Sequence, residues 1–304
     1  MKKVMTTLVL LLTTVVMSAQ VTGVKIAPKY QKGDNKLYRT VGTMTVGGEI
    51  INLLSETRYV VTEANADGYV IETTLEKMDT DSKDLTGKVM QLMQGAMKGV
   101  KTAFTTDANG KITGIKNFDE VKENALKMVD ELFQTISAEL PDATSAALPI
   151  DMLKQQVGSR LTQETVIAQS ATSPGPLSLN GKTISTGTMD ESVDQNGRKV
   201  KNMYFLSAPD GSKVKATTTL NMTKEDMKKM IVDQLKSMMP DQVSMVEQNI
   251  DQIMDSGMLK MESTQTADYE FLPNGWLKSL RVEQKQETMG QTTEMNTKTE
   301  LVVE

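Results

Sequence analysis

The chain of 304 residues carries 34 Lys and Arg against 39 Asp and Glu, for a formal charge of -5, and contains neither cysteine nor histidine. Those two absences exclude a Ser-His-Asp triad, a Cys-His pair, histidine metal ligation and imidazole acid-base chemistry, and with them most hydrolase mechanisms. The mixed-sign, mildly acidic balance also argues against nucleic acid as a partner, because phosphate binding needs clustered Lys and Arg.

The chain opens with "MKKVMTTLVLLLTTVVMSAQ". Lys2 and Lys3 form a basic region, Leu8 to Val16 an apolar core and Ser18-Ala19 a small-residue cleavage site, which predicts a signal peptide over residues 1-19. The mature chain then starts near Gln20. No cysteine follows the apolar core, so the expected product is exported to the periplasm or the cell exterior without a lipid anchor. No later segment approaches the roughly 20 apolar residues of a membrane helix, so an integral membrane protein is not expected. About 285 mature residues suffice to bury a core without disulfides.

"GDNKLYRTVGTMTVGGEI" and "SETRYVVTEANADGYVIETTLEKMD" alternate polar and apolar residues and are rich in Thr, Val, Tyr and Ile, which predicts antiparallel strands. The "NADG" between them reads as a hairpin turn. From Lys83 to Lys98 the apolar spacing becomes helical, closed by Gly99. "VKTAFTTDANGKITGIKNF" returns to strand with a turn at Asn109-Gly110, then a helix capped by Asn117 carries Phe118, Val121, Ala125, Met128, Leu132, Phe133 and Ile136 as its stripe. Residues 158-169 read as a strand and "SATSPGPLSLNG" as a loop. Strands follow around "KTISTGTMDESV", "RKVKNMYFLSA" and "SKVKATTTLNM". A helix over Met222-Met239, a further one ending at Gly257 and a final strand meander complete the chain.

"FTTDANGKITGI" and "FLPNGWLKSL" form a near-repeat, each placing an apolar residue at the second and fifth positions after the glycine. Residues 20-304 therefore form either a single exported domain or two similar lobes, 20-150 and 151-304. The expected fold class is α+β: a curved, half-barrel-like antiparallel β-sheet with several amphipathic helices packed on one face.

Chemistry has few places to reside. "DTDSKDLTG" clusters Asp79, Asp81 and Asp84 but lacks the closing glutamate of a calcium loop, so capping and solvation explain it. Aromatics make up 4% of the chain, too few for the platforms that surround carbohydrate carboxylates. No metal and no cofactor is expected, and an enzyme is not the favoured class. The conspicuous feature is 23 methionines. Methionine fills irregular cores and also lines adaptable surfaces for greasy ligands, and both readings stay open. Met93 and Met97 on the first helix, Met128 on the second, and Met227 and Met230 on the third are the candidate ligand-binding residues. Trp276, on the Asn274-Gly275 turn, joins them, with packing onto its own hairpin as the alternative.

The signal ending in Ser-Ala-Gln, the "KGDNKLYR" strand and the "YEFLPNGWLKSL" hairpin resemble a family of uncharacterised exported proteins of Bacteroides-type bacteria. The layout more loosely resembles periplasmic lipid carriers of the LolA and LppX type, an architecture that implies an apolar cavity between sheet and helices. The sequence thus supports a non-enzymatic exported protein binding a hydrophobic small molecule or lipid. The alternative is an envelope interaction or structural protein with a filled core.

Overall fold

A computed structural model describes residues 23-46, 48-82, 92, 95, 98-139, 155, 158-159, 161-185, 187-193, 199-221, 225, 228-229, 232, 261-288 and 291-302. Its frame is one antiparallel sheet of 11 strands in the order β6-β5-β4-β3-β2-β13-β12-β11-β10-β9-β8. The first half of the chain supplies β2 (Asn35–Val46), β3 (Glu49–Asn65), β4 (Gly68–Thr80), β5 (Lys101–Thr106) and β6 (Ile112–Ile115). The second half supplies β8 (Thr188–Val193), β9 (Lys199–Leu206), β10 (Lys213–Asn221), β11 (Met261–Phe271), β12 (Leu277–Thr288) and β13 (Gln291–Val302). The two meanders join where β2 pairs with β13, so one sheet runs through both halves. A short β1 (Val24–Lys25) pairs with β7 (Thr183–Ile184) apart from it. The helices are α1 (Phe118–Glu139) and α2 (Gln163–Thr172).

The strands obey period two. Along β13, Thr292, Glu294, Asn296, Lys298 and Glu300 are exposed while Thr293, Met295, Thr297 and Thr299 are half-buried. The outer face is laced with ion pairs, among them Arg39–Glu56 at 2.8 Å, Arg58–Glu76 and Lys285–Glu294 at 3.4 Å. Such exposed pairs contribute little stability, but they mark this face as the one turned to water.

Among the described residues, the main buried cluster of the inner face lies at one end. Tyr38 starts β2, Val61 ends β3, Ile71 starts β4, Tyr269 ends β11 and Leu280 starts β12, and all are buried in one cluster. The segment from Val24 to Asp34 runs through this end. A side chain at Gly110, in the β5–β6 turn, would stand 2.5 Å from Pro28 Cγ, and one at Gly275, in the β11–β12 turn, 2.6 Å from Pro28 Cα. In a flat sheet those turns would lie about 29 Å apart at the usual strand spacing. They meet on one proline because the sheet is rolled.

The two edges of the roll are bridged at the same end. The edge strand β6 is covered by α2, whose Gln163 Oε1 accepts from Ile115 N at 2.8 Å. Gly181 abuts Lys111 beside β6, and the next residue, Lys182, donates to Asp190 Oδ2 of β8 at 3.2 Å and to Tyr204 Oη of β9 at 2.7 Å. A closed or covered edge removes the unpaired strand on which other chains could add.

This architecture overturns the expected α+β class with several helices on one face. The chain is mainly antiparallel β, and the described residues contain two continuous helices. Strands of 12 to 17 residues roll up, and the buried cluster of the described residues lies largely on the inner face of the sheet. The expected helices over 83–98 and 222–257 lie largely outside the described residues, although Leu92, Gly95, Glu225, Lys228, Lys229 and Val232 have helical backbone. Residues 163–169, read as strand, and 170–172, read as the start of a loop, form helix α2. Thr162 caps it by accepting from Thr165 N at 3.2 Å, and that local bond outweighs the β-branched composition. Asn117 does not cap α1 with its side chain. Its Oδ1 accepts from Ala103 N at 2.9 Å and its Nδ2 donates to Lys101 O at 2.8 Å, which ties the helix start to β5.

Two predictions follow from the rolled end. Gly110 and Gly275 have φ of +78° and +85°, and each faces Pro28, whereas Gly33 has φ of +93° and open space around it. Alanine at Gly110 or Gly275 should cost about 2–4 kcal/mol in chemical denaturation, against about 1 kcal/mol at Gly33. Equal costs at all three would contradict the convergence on Pro28.

Burial pushes Tyr59 up to about 12 and raises Tyr30, Tyr38, Tyr204 and Tyr269 as well. These groups hold their protons more tightly folded than unfolded, so their contribution is complete below the ordinary tyrosine value near 10 and is lost as pH rises through the folded values. Unfolding free energy should therefore fall from about pH 10 upward. An absorbance titration should show the tyrosinates appearing together with the loss of near-UV circular dichroism. Ionisation near pH 10 with the fold intact would contradict it.

Candidate functional site

Toward the other end of the roll the inner face changes character. Cross-strand partners form a continuous row from β8 to β3: Asp190, Asn202, Thr218, Gln265, Gln284, Met295, Met44 and Ile51. Residues directly opposite in antiparallel strands share a face, so the whole row points inward with the buried Leu280 and Val282. Its first part is polar and hydrogen-bonded: Thr218 Oγ1 donates to Asn202 Oδ1 at 2.8 Å and Gln265 Nε2 to Gln284 Oε1 at 3.1 Å. Its second part, Met295, Met44 and Ile51, is apolar. At this level one side of the roll offers amides and hydroxyls, and the other offers thioethers and an alkyl group.

Where the polar arc meets the packed end, a niche of about 20 Å³ opens. Ala216 and Ala267 line it with small side chains; Tyr204, Tyr269, Asn202 and Thr218 are around them, and Ser178 and Pro174 close it from the segment after α2. Ser178 Oγ lies 3.2 Å from Tyr269 Oη. A separate shallow groove of about 270 Å³ lies on charged outward side chains, including Lys213, Asp268, Glu270, Arg281 and Lys298. Lys278 lies 3.0 Å from Glu270 and, as hydrogen-bond donor, holds that carboxyl below its usual range.

The residues singled out in the sequence fall differently. Met93, Met97, Met227 and Met230 lie outside the described residues. Met128 is half-buried on α1. Trp276 is fully buried, stacked on Tyr30 with ring centroids 4.1 Å apart, and its Nε1 donates to Asp34 Oδ2 at 2.8 Å. An indole so placed closes the end of the roll and presents nothing at the surface. Of the acidic cluster, Asp81 accepts from Asn52 N and Nδ2, which lowers its pKa, and Asp79 pairs with Lys77 at 3.0 Å; Asp84 lies outside the described residues. Among the described residues no group of three acidic side chains could hold a metal, and no helix is long and apolar enough to cross a membrane. Sequence reading missed Gln265, Gln284, Thr218 and Met44, whose inward orientation follows from register and carries no local signal.

No family model matches the chain, and no curated protein matches it. Among solved structures it is similar to one described as "Lipid-protein interactions in lipovitellin", with a TM-score of 0.43 and 11% identity over 90% of this chain and 25% of that one. The chain thus spans about a quarter of that protein's length. A porin-like protein from Bacteroides uniformis ATCC 8492 covers 90% of this chain and 98% of its own at 10% identity, with a TM-score of 0.21. These are weak structural resemblances that fix neither family nor ligand.

The polar arc yields a stability prediction. Gln265→Leu should cost about 1 kcal/mol by stranding the amide of Gln284, whereas Gln265→Leu with Gln284→Leu should be nearly neutral, as when both partners of a bond become apolar. Chemical denaturation of the two variants measures this. A larger loss in the double variant would make the amides part of the folding core.

Proposed function

We propose that this chain is a non-enzymatic exported protein that holds a hydrophobic molecule, amphiphilic in character, against the inner face of the half of the roll farther from Pro28. The observation that carries this reading is the inward row in which Asn202, Thr218, Gln265 and Gln284 continue into Met295, Met44 and Ile51. A wall kept only for packing gains nothing from a run of amides, since apolar residues of the same volume serve a core better. Eleven strands enclose more room than an eight-stranded barrel fills with its own side chains. A charged outer face and an amphipathic inner one suit a carrier that moves through water. Methionine at Met44 and Met295 suits a chain of variable shape.

One observation favours a second reading. Val232, in the connection between β10 and β11, is buried, at 7% exposure. If this connection fills the roll, the outward pair Met189 and Met203, 70% and 38% exposed and directly opposite on β8 and β9, becomes the surface for an envelope protein.

Native mass spectrometry of the chain exported by a bacterium, followed by solvent extraction, separates the two. The carrier reading expects a near-stoichiometric apolar adduct that is lost in Met44→Arg or Met295→Arg while near-UV circular dichroism persists. A clean mass that stays clean after incubation with envelope lipids would overturn it and leave the filled roll.

A further inference from the structure

Resting on the carrier reading, we infer that the niche over Ala216 and Ala267 is the head-group site, and that it selects an uncharged hydroxyl- or amide-bearing head over a carboxylate or an ammonium. Three features of the niche converge on this. The first is shape. Ala216 and Ala267 are direct partners on β10 and β11, and both point inward between the larger Tyr204 and Val282. Two small side chains side by side make a step in the inner wall, and the space above them, about 20 Å³, is the size of one hydroxyl or one water.

The second feature is chemistry. The polar side chains around the niche are a serine, an asparagine, two threonines and two tyrosines, and Ser178, Asn202, Tyr204 and Tyr269 are all nearly fully buried. Every one of them both donates and accepts, which matches a neutral head and offers no counter-charge. Lys182 sits 4.8 Å over the Tyr204 ring and pairs with Asp190 Oδ2 at 3.2 Å, and neither belongs to the lining of the niche; Asp190 Oδ1, also outside it, is buried without a hydrogen-bond partner. A carboxylate or ammonium would be desolvated here without a partner, which is the costly case. Burial also keeps Tyr204 and Tyr269 protonated well beyond neutral pH, so they remain hydrogen-bond donors.

The third feature is position. Asn202 and Thr218 belong both to the niche and to the polar arc, so the site opens onto the row that leads through Gln265 and Gln284 to the apolar wall. A ligand anchored by its head at the niche has its alkyl chain directed across the roll toward Met295 and Met44. A purely aliphatic guest would use only the far wall and would leave the amide row without purpose.

The test uses the full mature chain and three single-chain probes of equal length: monodecanoylglycerol, decanoate and decyltrimethylammonium, each below its micelle concentration and titrated by calorimetry. The neutral probe should bind about tenfold more tightly than either charged one, the discrimination expected when buried neutral groups meet a matched rather than a charged head. Ala267→Leu should fill the step and abolish that preference by bringing the neutral probe down to the affinity of decanoate. Ala216→Val provides the same test if the first variant folds poorly. Equal binding of the three probes, or a preference that survives both fillings, would overturn the head-group assignment and leave the carrier reading intact. Binding of none would overturn both.

Discussion

Pro28 is the point on which the rest of the structure depends. Turns from opposite halves of the chain press on it, and the segment carrying it anchors the surrounding wall by hydrogen bonds: Ile26 N to Lys182 O at 2.9 Å, Lys29 N to Asn274 O at 2.9 Å, and Val61 N to Asp34 O at 2.9 Å. Tyr30 continues the seal by stacking on Trp276 and tilting against Tyr69, whose hydroxyl returns to Pro28 O at 3.1 Å. These contacts turn a long sheet, whose ends would otherwise stay far apart, into a roll with a plugged end. Positive-φ glycines are required at the turns because no side chain fits between them and the plug.

Sealing one end sets the character of the other. The aromatic and aliphatic side chains are concentrated around the plug, where Tyr38 Oη also donates to Leu277 O at 2.9 Å across β2 and β12. Farther along the strands the inner face mixes Thr, Gln and Met with the buried Val200, Leu220 and Ile51. Along the row from Asp190 to Ile51 polarity divides around the roll: its members on β8 to β12 are polar, and those on β13, β2 and β3 are Met295, Met44 and Ile51. That division is what gives a bound molecule an orientation.

Much of the local structure was legible in the sequence. The Asn65 to Gly68 turn joins β3 and β4, Asn109-Gly110 joins β5 and β6, and the final meander is three strands, each where alternation and turn chemistry placed them. Helix α1 was legible from its spacing. Helix α2 was not, because a single threonine cap decided against the β-branched residues that follow. The roll was invisible for a different reason. It rests on contacts such as Trp276 to Asp34, separated by 242 positions, and no local pattern encodes them. The near-repeat was visible as similar turns, but the cause, a shared proline, lies outside both copies. The candidate site was read least well. Along a half-buried strand, Thr and Gln look like the solvated face, and only the register showed that Gln265 and Gln284 point the same way as Leu280.

The account stands on the roll, and the absence of cysteine makes the roll measurable. Spin labels on cysteines placed at Thr113 of β6 and Glu191 of β8, both exposed, report the distance between the sheet edges by pulsed electron resonance. The bridge through Lys111, Gly181 and Lys182 predicts a separation below about 25 Å, whereas eleven strands laid flat would set the edges about 48 Å apart. A distance near the larger value would leave no enclosed inner face, and the proposed carrier would have no chamber.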